Sequence, residues 1–311
     1  MRHLLTQFWS STVDGLTVGA IYGLIALGYT LVYGVLKLIN FAHSEIFMIG
    51  TFAALFTLHA LDVTHQQTGV TLIGVLLLVV LASMAASSSA AVILERLAYR
   101  PLRRRGASRL AALISAIGAS FFLQELFAER YGRDIRTFPR VMPNTTLFSI
   151  GDGVVTSEKA LVFVSALAMM VILDLFVTRT RLGRGIRATA QDPETAVLMG
   201  VNIDRVVRVT FLLGGAMAGV AAALFSVRLK STQYNVGFIL GVKAFTAAVL
   251  GGIGNLRGAL LGGLVIGLAE NYGASVWGSQ WKDVISFVFL VLVLMFRPTG
   301  LLGESLSRSK A

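Results

Sequence analysis

Val70-Thr71-Leu72-Ile73-Gly74-Val75-Leu76-Leu77-Leu78-Val79-Val80-Leu81-Ala82-Ser83-Met84-Ala85-Ala86-Ser87-Ser88-Ser89-Ala90-Ala91-Val92-Ile93-Leu94 runs for 25 residues without one charged side chain. A helix crosses the roughly 30 Å hydrocarbon core of a bilayer in about 20 apolar residues. An open strand would leave its backbone groups unsatisfied in lipid, and the run lacks the apolar–polar alternation of an outer-membrane barrel strand. It therefore reads as a membrane-crossing helix.

Working outward, eight further apolar segments lie at 15–36, 46–60, 110–128, 160–178, 207–227, 238–254, 258–275 and 283–297. Only 14% of the 311 residues are charged and 55% are hydrophobic. A soluble domain carries about 25% charged residues, because it must cover its surface with polar groups. Together these segments predict an all-α, polytopic membrane helical bundle of eight or nine transmembrane segments, forming a single transmembrane domain over 1–311. The short segment 46–60 leaves the count, and with it the side of the N-terminus, open. Met1 to Asp14 is polar and amphipathic. The first apolar run is too long for a signal peptide and meets no small-residue cleavage site before Lys37, so it is expected to be a retained helix.

The formal net charge is +11, and the excess sits between the apolar runs. Arg96, Arg100, Arg103, Arg104, Arg105 and Arg109 crowd 95–109, against the one acid Glu95. Arg179, Arg181, Arg184, Arg187, Arg205 and Arg208 crowd 179–208. Cytoplasmic loops collect Arg and Lys, so both are expected in the cytoplasm and the mixed-charge stretch 129–159 in the periplasm. The tail with Arg308 and Lys310 then also falls in the cytoplasm. Basic residues without a nucleic-acid reading module argue for lipid as the partner and against nucleic acid. The absence of cysteine removes disulfides, thiolate metal sites and a cysteine nucleophile.

No catalytic set appears. His3, His43, His59 and His65 lack metal-ligand spacing, and no metal site is expected. There is no G-x-x-x-x-G-K-[ST] phosphate loop, so the chain is not expected to hydrolyse ATP. Intramembrane polar residues are the default functional candidates in such a protein. Asn40, His43 and Glu45 lie at the break between the first two apolar runs, where they form either a polar cytoplasmic turn or an interior site. Lys243 sits inside 238–254 and Glu270 ends 258–275. Each is either an interfacial side chain or part of the translocation path. Gly251, Gly252 and Gly254 crowd one turn near mid-membrane, marking either an interrupted helix beside a cavity or a tight hairpin. Small residues at four-residue spacing (Gly15, Gly19, Gly23; Gly215, Gly219; Gly258, Gly262; Gly263, Gly267) suit close helix packing.

Within the loop about 179–206, Asp192 is a good N-cap, Pro193 suits the first helical position and Glu194 complements the helix dipole. Gly200 can end the helix in a left-handed conformation. These residues predict a two-turn helix over 193–199, with Asn202 or Asp204 capping the next span. A short, stiff, capped element suits docking into a partner's groove.

Glu194-Thr195-Ala196 followed by Gly200 resembles the E-A-A-x-x-x-G docking motif of ABC-importer permeases, with Thr195 in place of the middle alanine. The chain as a whole resembles the LivH-type permeases of branched-chain amino-acid importers. The resemblance rests on Gly28-Tyr29-Thr30-Leu31-Val32-Tyr33-Gly34, Ile39-Asn40-Phe41-Ala42-His43, Glu95-Arg96-Leu97-Ala98-Tyr99-Arg100-Pro101-Leu102-Arg103, Lys243-Ala244-Phe245-Thr246-Ala247-Ala248-Val249-Leu250-Gly251-Gly252-Ile253-Gly254 and Phe296-Arg297-Pro298-Thr299-Gly300-Leu301. Ser44 stands where the family often has glycine. The resemblance implies an inner-membrane subunit forming half of a translocation pathway. Its implied partners are a second, LivM-like permease, two cytoplasmic LivG- and LivF-like ATPases that bind the ATP and Mg, and a periplasmic substrate-binding protein. It implies no cofactor on this chain and places Asp192, Pro193, Glu194, Thr195, Ala196 and Gly200 at the ATPase contact. A same-family permease for urea or short-chain amides remains an alternative. From a different class, so does a stand-alone channel or ion-coupled transporter, against which the docking loop argues.

Overall fold

A computed structural model describes residues 7–297 and 299–303. His3, Pro298, Arg308, Lys310 and the first six residues of the N-terminal stretch lie outside the described residues. Each of the nine apolar segments is helical over most of its length, and 238–254 leaves the helix after Gly251. In chain order the helices are α1 (Phe8–Leu36), α2 (His43–Ala60), α3 (Gly69–Leu94), α4 (Arg100–Arg104), α5 (Arg109–Tyr131), α6 (Ser157–Arg179), α7 (Arg181–Gln191), α8 (Pro193–Leu198), α9 (Ile203–Leu229), α10 (Val236–Gly251), α11 (Leu256–Trp277) and α12 (Lys282–Phe296). Seven of the nine apolar ones, α2 and α10 excepted, are long and apolar enough to cross a membrane, with α3 continuing to Arg104 and α12 joined to the helical turn that precedes it from Ser279. Two small antiparallel pairs join β1 (Arg136–Thr137) to β4 (Ser231–Thr232) and β2 (Thr146–Ile150) to β3 (Gly153–Thr156).

The centre of the bundle is an antiparallel pair, α1 and α9, buried along most of their length. Asp14 meets Arg228 at one end of this pair, and Gly28 meets Gly214 farther along. Small residues permit the closest approaches. A Cβ added at Gly19 would lie 2.6 Å from the Gly263 carbonyl oxygen on α11, and one at Gly215 would lie 2.7 Å from the Ser87 carbonyl oxygen on α3. Serines fasten α3 to α2, with Ser83 Oγ donating to the Gly50 carbonyl (3.0 Å) and Ser87 Oγ to that of Ile46 (2.9 Å). In lipid, such packing and hydrogen bonding replace the hydrophobic effect as the source of helix association.

Both central helices end alike. Lys37 (φ 53) and Lys230 (φ 55) are left-handed, and each begins a six-residue non-helical stretch, 37–42 or 230–235, that leads into a short helix. The first stretch folds back beside α1, so that the His43 ring packs edge-on against Tyr29 at 4.7 Å. The second folds back beside α2, where Thr232 and Thr51 share a 2.6 Å hydrogen bond. The N-termini of α2 and α10 consequently meet inside the bundle, with Gly237 and Gly241 against Ser44. Each central helix packs on the third helix of the other set, α1 on α11 and α9 on α3. The two halves therefore have the relation of an inverted repeat.

At one end of the bundle, Trp9 N–H donates to Asp152 Oδ1 (3.2 Å), Gln67 N–H to the Val141 carbonyl (2.8 Å) and Phe138 N–H to the Lys230 carbonyl (2.9 Å). The start of α1 thus stands at the same end as 129–159, as nine segments require. The arginine-rich segments share the opposite end. There, 95–104 is not the loop its charge suggested. α3 passes through a π-helical turn, Glu95–Tyr99, into α4, and that turn directs Glu95 and Tyr99 into the bundle.

Candidate functional site

The break between the first two apolar runs is interior, not a solvated turn: Asn40, His43, Ser44 and Glu45 are all buried, Glu45 to 0% exposure. Tyr99 Oη donates to Asn40 Oδ1 at 2.7 Å. Glu45 Oε1 accepts from Ser44 Oγ (3.1 Å), Ser120 Oγ (3.1 Å) and Gln124 Nε2 (2.9 Å), while Oε2 has no partner among the described residues. That free oxygen faces the start of α10, lying 3.1 Å from a Cβ added at Gly237. The first four backbone N–H groups of a helix lack intrahelical partners and carry partial positive charge, a setting that favours an acid. Ser120 and Gln124 come from α5, whose buried residues Ala112, Ala116, Ser120, Gln124 and Ala128 recur every fourth position. Sequence reading missed this pair. Its signal was two polar residues four apart, continuing a stripe of alanines through an otherwise apolar run.

Lys243 and Glu270 do meet, at 2.9 Å, and both are buried. Lys243 also pairs with Asp283 at 2.7 Å; Glu270 accepts from Tyr22 Oη at 2.9 Å and from Ser286. A buried charge needs this many partners to offset the water it has lost. Gly251, Gly252 and Gly254 form the tight-hairpin alternative, not an interrupted mid-membrane helix. α10 ends at Gly251 against Gly258, Gly252 (φ 101) and Gly254 (φ 102) turn the chain, and Asn255 caps α11 by accepting from Gly258 N–H at 3.0 Å. Backbone contact with Gly258 leaves no room for a side chain at 251, and the positive φ angles favour glycine at 252 and 254.

The helix predicted at 193–199 is α8, Pro193–Leu198. Asp192 Oδ1 accepts from Glu194 N–H (3.0 Å) and Thr195 N–H (3.3 Å). The Thr195 hydroxyl donates to the same carboxylate and holds it below the usual aspartate range, which gives Thr195 a local role in the motif. Gly200 is left-handed (φ 83), and Val201 N–H closes the turn on the Ala196 carbonyl at 3.0 Å. Ala196 alone faces inward, and Leu198 and Met199 are 86% and 80% exposed. The preceding helix α7 was not foreseen. It buries Gly183, Ile186 and Thr189 and exposes Arg181, Arg184 and Arg187, two faces at helical spacing.

Of the two candidate caps for α9, Asn202 serves, accepting from Arg205 N–H at 3.0 Å. Asp204 instead binds Arg100 (3.0 Å), Arg104 (2.9 Å) and Arg103. The loop 179–206 is thereby fastened to α4, and through the π-turn and Tyr99 to Asn40. The structure brings Asn40, His43 and Glu45 together, and pairs Lys243 with Glu270. The stretch from Asp192 to Gly200 stands at the far end of the bundle from 129–159.

Residues 11–294 match the family described as branched-chain amino acid transport system / permease component. The chain is 44% identical to the high-affinity branched-chain amino acid transport system permease protein BraD of Pseudomonas aeruginosa, over 97% of this chain and 96% of that protein. The permease protein LivH of Escherichia coli K12 is 40% identical over 98% of each chain. A probable branched-chain amino acid transport permease protein LivH of Methanocaldococcus jannaschii is 26% identical over 92% of this chain and 90% of that one.

Proposed function

The chain belongs to the branched-chain amino acid transport system permease family, and from that membership we propose that it forms half of the translocation pathway of an ATP-driven importer for branched-chain amino acids. The observation that carries this reading is the near full-length identity to two permeases of such systems. The chain sits in the bacterial inner membrane and is not itself an enzyme. Its partners are a second, LivM-like permease, two LivG- and LivF-like ATPases that bind ATP and Mg, and a periplasmic binding protein that captures the substrate.

The geometry supports a route for the force. The exposed tip of α8, Val197-Leu198-Met199, offers an apolar knob to an ATPase groove, and its capped ends let it move as a rigid body. Motion of α8 pulls on the start of α9, where Asp204 holds three arginines of α4. The π-turn relays the pull through Tyr99 to Asn40, the residue that anchors the re-entrant stretch below Glu45. The path then opens or closes where the N-termini of α2 and α10 meet.

Co-expression with the neighbouring permease, ATPase and binding-protein genes, in cells lacking other leucine transport, tests the assignment. Restored uptake of leucine, isoleucine and valine is expected. Uptake of urea or acetamide without leucine would instead select the amide alternative.

A further inference from the structure

A cavity of 250 Å³ opens at the bundle end that holds the start of α1 and the finish of α9. This volume lies a little below the ~300 Å³ at which pockets for drug-sized ligands begin, a size for a small metabolite. Its two chemistries are separated by depth. Asp14 and Arg228 stand near the mouth. Val18 and Ile21 follow Asp14 on the same face of α1, one and two turns deeper, and Phe225 lies one turn inward of Arg228 on α9. Tyr22, which donates to buried Glu270, also lines the cavity.

Cations outnumber acids at the rim. Asp14 is shared between Arg228 and Lys159, at 3.1 Å each. Among the described residues Arg228 is held by Asp14 alone, through Nη2, and Lys282 Nζ donates only to the amide oxygen of Asn271, at 3.3 Å. Spare donors on a guanidinium and an ammonium are what a carboxylate accepts from. Asp14 beside them is an acceptor for an ammonium group, and the depth of the cavity is aliphatic and aromatic.

We propose that this cavity is a binding site for a zwitterionic α-amino acid with a branched aliphatic side chain. The carboxylate accepts from Arg228 and Lys282, the ammonium donates to Asp14, and the side chain enters among Val18, Ile21 and Phe225. The inference rests on the importer reading and deepens it, because a small neutral amide would bring no negative charge to Arg228 and Lys282 and would leave the apolar depth unfilled.

The cysteine-free chain provides the test. Leu229→Cys on the wall of the cavity, in the assembled importer without its binding protein, is alkylated in the presence of leucine or of leucinamide, which lacks the carboxylate. Leucine is expected to slow alkylation and leucinamide to leave it unchanged. Adding Arg228→Gln should weaken the protection by about ten-fold in leucine concentration, the loss of a hydrogen bond to a charged group. Equal protection by both compounds, or none from leucine in a complex that imports leucine once its binding protein is restored, overturns the site and leaves the transport assignment standing. A complex that imports no leucine but imports an amide overturns both.

Discussion

Tyr99 Oη donates to Asn40 Oδ1 at 2.7 Å inside the bundle, which ties the π-helical turn of one element to the re-entrant break of another 59 positions away in sequence. If this bond carries force inward, Tyr99→Phe should separate ATP hydrolysis from transport. The loss leaves a buried carboxamide short of a partner, at about 1–3 kcal/mol, which a bundle of this size survives. Normal assembly and stimulated ATPase activity are expected, with leucine moved per ATP falling several-fold. An unchanged ratio would remove Tyr99 from the relay.

The ends of α8 should matter to transport more than to folding. Gly200→Val strains a left-handed position by roughly 1–2 kcal/mol and frays the last turn. Glu194→Lys puts a positive charge in the first turn, against the dipole. Both sites are exposed, so normal membrane levels are expected with severe loss of uptake and poor co-purification of ATPases. Near wild-type uptake in a complex of normal composition would make the loop an ordinary linker.

Lys243 shares its charge between Glu270 and Asp283, whereas Glu270 has Lys243 as its only cation among the described residues. Removing one partner of a buried pair costs about 3–5 kcal/mol, because the other charge is left uncompensated. Lys243→Met should therefore lower the melting temperature of the purified protein more than Glu270→Gln, which leaves Lys243 its bond to Asp283. The double variant should recover much of the loss. Equal shifts for the two single variants would contradict this asymmetry.

Sidedness has a direct check in the cysteine-free background. Phe148→Cys in the β2–β3 hairpin should react with an impermeant thiol reagent in intact cells. Ser108→Cys, between α4 and α5, should react only after the membrane is opened. The reverse pattern would invert the orientation drawn from the arginine-rich segments.

The nine helices were legible because an apolar run such as 70–94 has only one stable form in lipid, and α8 because Asp192-Pro193 and Gly200 encode its ends locally. The two re-entrant stretches were not. Hydropathy does not distinguish lipid from protein interior, so Asn40 to Glu45 read equally well as a surface turn. Two of the three partners of Glu45 lie 75 and 79 positions away, and Tyr22 lies 248 from Glu270, beyond any local pattern. The arginines of 95–104 share one end of the bundle with those of 179–208, but they concealed a continuous helix, since Arg is itself a good helix former.

Leucine uptake into proteoliposomes tests the central claim most directly. The chain is reconstituted either alone or with the second permease, both ATPases and the binding protein, and each preparation is offered Mg-ATP or a sodium or proton gradient. The account predicts ATP-dependent leucine accumulation by the full complex only, with no ATP hydrolysis by the chain alone. Gradient-driven accumulation by the chain alone would contradict it and make the protein an ion-coupled transporter.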